Sequence, residues 1–277
     1  MKQNCIHALH TPSAVESSPS TAADFEGLTP ELRLAEAISR VEADRLRAGI
    51  GTLGEKTLHA VLKYFYQPDA AYHEQKIGSY YADIAKDGEI IEIQTRQLYR
   101  LQKKVSTFLE KGYRVTVVHP IPRNRWLYWI GEDGTLSNRR KSPKTGRPHS
   151  ALPELAALRD LPDHPNLTLS VLMLDVEDFR NLDGWSRDKK KGSSRFERMP
   201  VAYAEEILLR SPEDWRQLLP PALPTPFTAA EFYKKGGYNA RGGYYALKRL
   251  EALGIVRQVG MKGKAFLYEV VEETVSF

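Results

Sequence analysis

A single cysteine, Cys5, stands in a sequence of 277 residues, and that scarcity closes off several classes at once. An internal disulfide framework needs pairs of cysteines and a cysteine-rich zinc site needs clusters, so neither is available to this chain. A reducing cytoplasm is the expected setting. No apolar run approaches the ~20 residues of a membrane-spanning helix, and Met1 to Leu28 lacks the apolar core of a signal peptide. The expected protein is therefore neither secreted nor membrane-embedded. There is no glycine-rich Walker loop, no G-x-S-x-G, no H-E-x-x-H and no internal repeat, which sets aside the chemistries those motifs carry. Histidine is also sparse, and neither His59 nor His73 has another His or Cys at ligand-like spacing, so both read as structural.

What is present is an ordinary balance with a slight basic lean. Hydrophobic residues make up 42% and charged residues 27%, enough to bury a core over more than one domain. Lys plus Arg number 40 against 35 Asp plus Glu, a net +5 that suits a polyanionic partner without requiring one.

The stretch from Tyr80 to Arg96, YYADIAKDGEIIEIQTR, carries the sharpest signal. Asp87-Gly88 lies between two alternating runs, the pattern of a hairpin closed by a type I′ turn. The register follows: Lys86 opposite Glu89, Ala85 opposite Ile90, Ile84 opposite Ile91 and Asp83 opposite Glu92. Alternation then puts Ala82, Ile84, Ile91, Ile93 and Thr95 on one face, and Asp83, Glu92, Gln94 and Arg96 on the other. Carboxylates opposite one another in an antiparallel pair repel. A hard divalent ion such as Mg²⁺, or Mn²⁺ in its place, would hold them together, since it takes oxygen ligands from one or two carboxylates. The alternative is a half-buried hairpin with a solvated polar face.

At these residues the chain resembles the PD-(D/E)XK nuclease superfamily, whose fold is restriction-endonuclease-like. The resemblance covers about Ala48 to Ile130. It implies Asp83 as the first acid, Glu92 as the second, and Gln94 where lysine is usual, with a metal held by Asp83, Glu92 and the backbone at Ile93. Leu53 to Tyr66 matches the helix before the strands, and Gln97 to Lys111 the helix after them. Glu55 corresponds to the extra acid that several members carry on the first helix; its other reading is an acid favoured by the helix N-terminus. Gln94 lacks the positive charge of lysine, and Arg96 on the same face is the candidate to supply it in part.

Around this stretch the elements read in α/β order. Thr29-Pro30-Glu31 opens a helix by N-cap, N1 proline and early acid. Leu58, Val61, Leu62 and Phe65 mark the buried stripe of the next helix, and Leu98, Leu101, Val105 and Phe108 that of the third. Strands are expected over Arg114 to Ile121, Trp126 to Ile130 and Leu167 to Leu174, with a helix over Leu152 to Leu161. Lys103 and Lys104 read as a solvated helix face or as a phosphate contact.

Two basic loops interrupt these elements. Leu136 to Ser150 carries Arg139, Arg140 and Lys141, and Trp185 to Arg198 carries Lys189, Lys190, Lys191 and Arg195. Serines and glycines in both let backbone N–H groups approach an anion, so phosphate contact is weighed against plain solvated surface. A proline linker at Leu219 to Pro224 precedes a different pattern. A short helix from Thr228 to Lys235, a turn at Gly236-Gly237-Tyr238, a helix from Arg241 to Leu253 and a two-stranded unit from Ile255 to Val271 resemble a winged helix-turn-helix. Tyr245, Leu247, Leu250 and Leu253 are expected on the buried side of its second helix. Arg241, Tyr244, Lys248 and Arg249 are expected outside, with Lys262 and Lys264 in the wing.

The expected architecture is a disordered tail over 1–28, an α/β nuclease-like domain over 29–210 with a mixed sheet flanked by helices, and a winged helix over 211–277. The expected function is Mg²⁺-dependent hydrolysis of DNA, with no membrane partner and a homodimer as an allowed assembly. Two rivals stand beside it: a DNA-binding protein whose nuclease fold is degenerate at Gln94, and a protein-interaction scaffold.

Overall fold

The hairpin forms where the turn residues place it. In a computed structural model, β2 (Tyr80–Lys86) and β3 (Glu89–Ile93) flank Asp87 and Gly88, whose φ angles of 49° and 80° are the left-handed pair of a type I′ turn. The antiparallel register is Ile84↔Ile91, Ala85↔Ile90 and Lys86↔Glu89, as the alternation requires. The structure describes residue 25 and residues 27–48, 57–158, 161, 164–182 and 194–272. Of the disordered tail expected over 1–28, residues 1–24 and 26 lie outside these described residues, as do Glu55 and Lys189 to Lys191, but Phe25 is buried at 3% exposed and its carbonyl accepts from the Leu28 N–H.

The fold is mixed α/β with helices around a large sheet. Its strands hydrogen-bond in the order β1-β2-β3-β4-β6-β7, with β5 attached to β4. Here β1 is His73–Ile77, β4 Arg114–Ile130, β5 Arg140–Lys141, β6 Leu167–Asn181 and β7 Ser194–Leu209. The step from β3 to β4 is parallel, Glu92 lying level with Val117. Three strands are longer than expected. Arg114 to Ile121 and Trp126 to Ile130 are one strand, because Pro120 and Pro122 fix φ near values that extended backbone tolerates and remove only a donor. The strand expected to stop at Leu174 runs on to Asn181, and Arg195 and Arg198 lie in β7 instead of a loop. Part of the other basic loop pairs as β5, Lys141 opposite Trp126.

Contacts divide the chain into two units. The first comprises Met1–Gln75, Pro122–Gly146 and Met173–Glu205; the second comprises Lys76–Ile121, Arg147–Leu172 and Glu206–Phe277. In the first, α1 (Pro30–Ala48) starts where Thr29 Oγ1 accepts from the Leu32 N–H, and it packs on α2 (Thr57–Tyr66). Leu58, Val61, Leu62 and Phe65 are buried as the helical spacing predicts. Tyr128, Ile130, Phe179 and Met199 form a core with Ile38 of α1 against it.

In the second unit, a 3₁₀ turn at Leu98–Leu101 leads into α3 (Gln102–Glu110), and Leu98, Leu101, Val105 and Phe108 are all buried. The helix expected over Leu152 to Leu161 is shorter: α4 (Leu152–Leu155) has 3₁₀ turns on either side. The C-terminal segment runs through a 3₁₀ helix at Glu213–Leu218, β8 (Phe227–Thr228), α5 (Ala229–Gly236), α6 (Ala240–Ala252), β9 (Val256–Lys262) and β10 (Ala265–Val270). Its three strands order as β8-β10-β9. Thr228 and Glu231 form a reciprocal capping box on α5, and Gly237 ends it at φ 67°. This segment packs on the rest of its unit: α6 meets α4, and the Tyr238 hydroxyl donates to the His149 carbonyl at 2.7 Å. No described helix is long and apolar enough to cross a membrane.

Gly88 isolates the backbone term of the hairpin, since a Cβ there would meet nothing within 4 Å. Gly88→Ala is expected to cost about 1 kcal/mol through its positive φ alone, read as a lower midpoint in urea with an unchanged slope.

Candidate active site

Asp83 and Glu92 come together where the two hairpin strands separate. The Asp83 carboxylate accepts from the Ile93 N–H at 2.7 Å, taking the place of a backbone acceptor and fixing the side chain against β3. The Asp83 N–H in turn points to Glu92 Oε1 at 3.4 Å. Glu92 is 1% exposed and Asp83 and Gln94 are half-buried, while Arg96 on the same face is exposed.

A lysine from the following helix completes the arrangement. Lys104 Nζ donates to Glu92 Oε2 at 2.6 Å, with the two side chains 18% and 2% exposed. Its position on α3 explains this: Lys104 is three residues after Leu101 and four before Phe108, so it lies on the buried stripe and not on the solvated face. That spacing was the available signal. Lys104 also lies 5.9 Å from the centre of the Phe108 ring.

The electrostatics are unbalanced. Burial, and then the neighbouring Asp83, push the Glu92 carboxyl up to about 7, against the pull of Lys104. Glu92 therefore takes up a proton near neutrality.

Gln94 follows directly on β3. Its side-chain amide donates to the Arg96 carbonyl at 2.7 Å, while its own carbonyl meets His119 Nδ1 at 2.7 Å. His119, on β4, is 3% exposed, and burial lowers its pKa. A lone polar residue in the apolar run of β4 was the sign of this contact. Arg96 follows β3 and is exposed. His73 is structural, as expected, its Nε2 lying 2.8 Å from the Gln67 carbonyl.

The basic residues differ in exposure and in the contacts they make. Arg139 pairs with the buried Glu177 at 2.8 Å and lies 4.2 Å from the Trp126 ring centre. Arg140, Lys141 and Arg195 are exposed. On α6, Arg241 and Tyr244 are exposed, and Lys248 pairs with Glu251 at 2.6 Å. Tyr245 departs from expectation: it is 37% exposed, with Arg241 over its ring, because Gly243, Ala246, Leu247 and Leu250 form the buried stripe. Arg249 is half-buried over Trp215. Lys262 and Lys264 are exposed at the β9–β10 turn.

The family model described as Domain of unknown function (DUF8091) matches residues 56–210, a span that holds Asp83, Glu92 and Lys104. An uncharacterized protein of Treponema pallidum (strain Nichols) is 30% identical over 227 residues, covering 79% of this chain and 86% of that protein. No solved structure gives a significant match.

The raised Glu92 pKa fixes a sign for stability. The folded chain holds a proton that the unfolded chain has lost between the ordinary value of 4.5 and about 7. That contribution is full below 4.5 and disappears as the pH rises through about 7, with a slope of up to ~1.4 kcal/mol per pH unit. Urea unfolding in EDTA from pH 4.5 to 8 is expected to show this decline, and Glu92→Gln is expected to flatten it; an equal slope in the variant would assign the proton elsewhere.

Proposed function

The chain belongs to the family of Domain of unknown function (DUF8091), and for this member we propose metal-dependent hydrolysis of DNA phosphodiester bonds. The observation that carries the reading is Lys104 on Glu92 beside Asp83. The resemblance to PD-(D/E)XK nucleases left one position unfilled, the lysine that Gln94 replaces. A lysine arriving from α3 supplies the same charge to the same acid, which supports an active centre over the degenerate reading.

The donors suit a hard ion. Asp83, Glu92 and the Ile93 carbonyl offer oxygen alone, and Mg²⁺ is held by one or two carboxylates with water and substrate oxygens filling its remaining positions. Among the described residues no group of three or more His, Cys, Asp and Glu gathers anywhere, so a softer, ligand-rich metal has no site there. When bound, such an ion supplies Lewis-acid polarisation and a water of lowered pKa. The chain's own residues do the rest. The Ile93 N–H fixes Asp83, and Glu92 fixes the Lys104 ammonium where it can stabilise negative charge on a phosphate oxygen. Gln94 steadies the strand end through Arg96 and His119.

The C-terminal segment supports DNA as the substrate. Its order of helix, short strand, two helices and hairpin resembles that of a winged helix, with Arg241, Tyr244, Lys262 and Lys264 exposed on the second of those two helices and at the hairpin turn. One observation favours a second reading of this segment. Val259, Met261 and Phe266 of the wing are exposed, at 43%, 57% and 48%, and such an apolar wing suits a protein partner, a second copy of the chain included.

Purified protein with DNA in Mg²⁺, Mn²⁺ or EDTA tests the proposal. Cleavage is expected only with metal and is lost in Asp83→Ala and Glu92→Ala. Lys104→Ala is expected to lower the rate about a hundredfold or more, since removing one charge-stabilising donor costs that much in other active sites. Gln94→Ala should have the smaller effect. DNA binding without cleavage in any metal would favour the non-catalytic rival, and a wild-type rate from Lys104→Ala would remove that lysine from the chemistry. Lys262→Ala separates the readings of the wing: weaker binding to all DNA sequences with a reduced salt slope supports DNA contact, and unchanged binding supports a protein partner.

A further inference from the structure

The first unit buries three acids in a row on β6, and each is taken by an arginine. Asp175 accepts both nitrogens of an Arg123 fork at 2.8 Å, Glu177 accepts from Arg139, and Asp178 accepts from Arg198 at 2.5 and 2.7 Å. One arginine is left over. Arg125 is half-buried on β4, its Nε is shut away from solvent, and among the described residues no group accepts a hydrogen bond from it. A guanidinium desolvated without an acceptor costs stability, so such an arrangement needs a reason.

Alternation along the strands shows which residues stand with it. Tyr128, Phe179 and Met199 face the core against Ile38, so Arg125 and Trp129 on β4, Asp178 and Arg180 on β6, and Arg198 on β7 belong to the opposite face. Two contacts agree: Arg198 joins Asp178, and Arg180 lies 6.0 Å from the Trp129 ring centre. Three arginines therefore share a face on which Asp178 already accepts a full fork from Arg198. Burial and then the positive charge of Arg198 lower the pKa of Arg125, with Asp178 opposing and Arg180 adding to the effect. Phe196, on the same side of β7 by alternation, is 36% exposed.

We propose that Arg125, with Arg180 and Arg198 beside it, forms a phosphate-binding site on this face of the first unit. A phosphate oxygen would give the buried Nε its missing acceptor, and two oxygens would match the guanidinium fork. The added negative charge would relieve the repulsion among the three arginines. This site stands independently of the chemistry proposed at Asp83 and Glu92.

Thermal unfolding with inorganic phosphate, against chloride at matched ionic strength, tests it in the full chain. Phosphate is expected to raise the wild-type Tm beyond the chloride control. Arg125→Met is expected to be at least as stable as wild type without phosphate, since it removes an unmatched charge, and to bind phosphate at least about tenfold more weakly. Arg125→Lys, which keeps the charge and loses the fork, should fall between. A parallel titration with short single-stranded DNA identifies the source of the phosphate. Weakening of both ligands in Arg125→Met places a nucleic-acid backbone there, and weakening of inorganic phosphate alone places a free phosphate or monoester. The proposal is overturned if wild type shows no phosphate-specific shift or if Arg125→Met keeps it. It is equally overturned if Arg125→Met is less stable than wild type without phosphate, because the guanidinium would then have a structural partner.

Discussion

Lys104 on Glu92 is the contact on which the chemistry proposed for the second unit depends. Two carboxylates meet at the end of a hairpin, one of them 1% exposed, and the Lys104 ammonium pairs with that buried one. The contact ties α3 to the sheet. Burial, and then the charge of Asp83, still push the Glu92 carboxyl up to about 7 against the pull of Lys104. A pair built for stability alone would be expected to close its charges, since replacing buried ion pairs by apolar side chains is often neutral or stabilising.

The first unit shows the other way of burying charge. Asp175, Glu177 and Asp178 are each matched to an arginine, Asp175 with Asn124 as well, and the arginine beside Asp175 holds its carboxyl below the usual carboxylate range. These acids are satisfied, and they support the long strands β4, β6 and β7. Against that background the two imbalances are informative. One is the raised Glu92 pKa beside Asp83, and the other is the Arg125 Nε, which lacks an acceptor among the described residues. Perturbed charge of this kind gathers where a ligand completes the arrangement.

The contrast also explains what was legible in the sequence. The hairpin register was readable because a two-residue Asp-Gly turn fixes it, and the stripe on α3 because helical spacing is strict. Lys104 reads with Lys103 as a solvated helix face or a phosphate contact, although its spacing from Leu101 and Phe108 places it inward on the acid. The ends of β6 and β7 were misjudged for one reason. Asp175, Glu177, Asp178 and Arg198 interrupt the apolar pattern, and the fold shows each with its partner. Tyr245 was set on the wrong side of α6 because an aromatic residue outranks glycine and alanine in a hydrophobic count. Gly243 and Ala246 face inward there; a Cβ on Gly243 would lie 2.3 Å from the Tyr233 ring.

The central claim is that Asp83 and Glu92, completed by Lys104, form a cation site for phosphodiester chemistry. Anomalous diffraction from crystals of the full chain soaked in Mn²⁺ tests it most directly. The account predicts a manganese peak touching the carboxylates of Asp83 and Glu92, present in wild type and absent in Asp83→Asn. Manganese bound only elsewhere, or no bound manganese in well-soaked crystals, would contradict it.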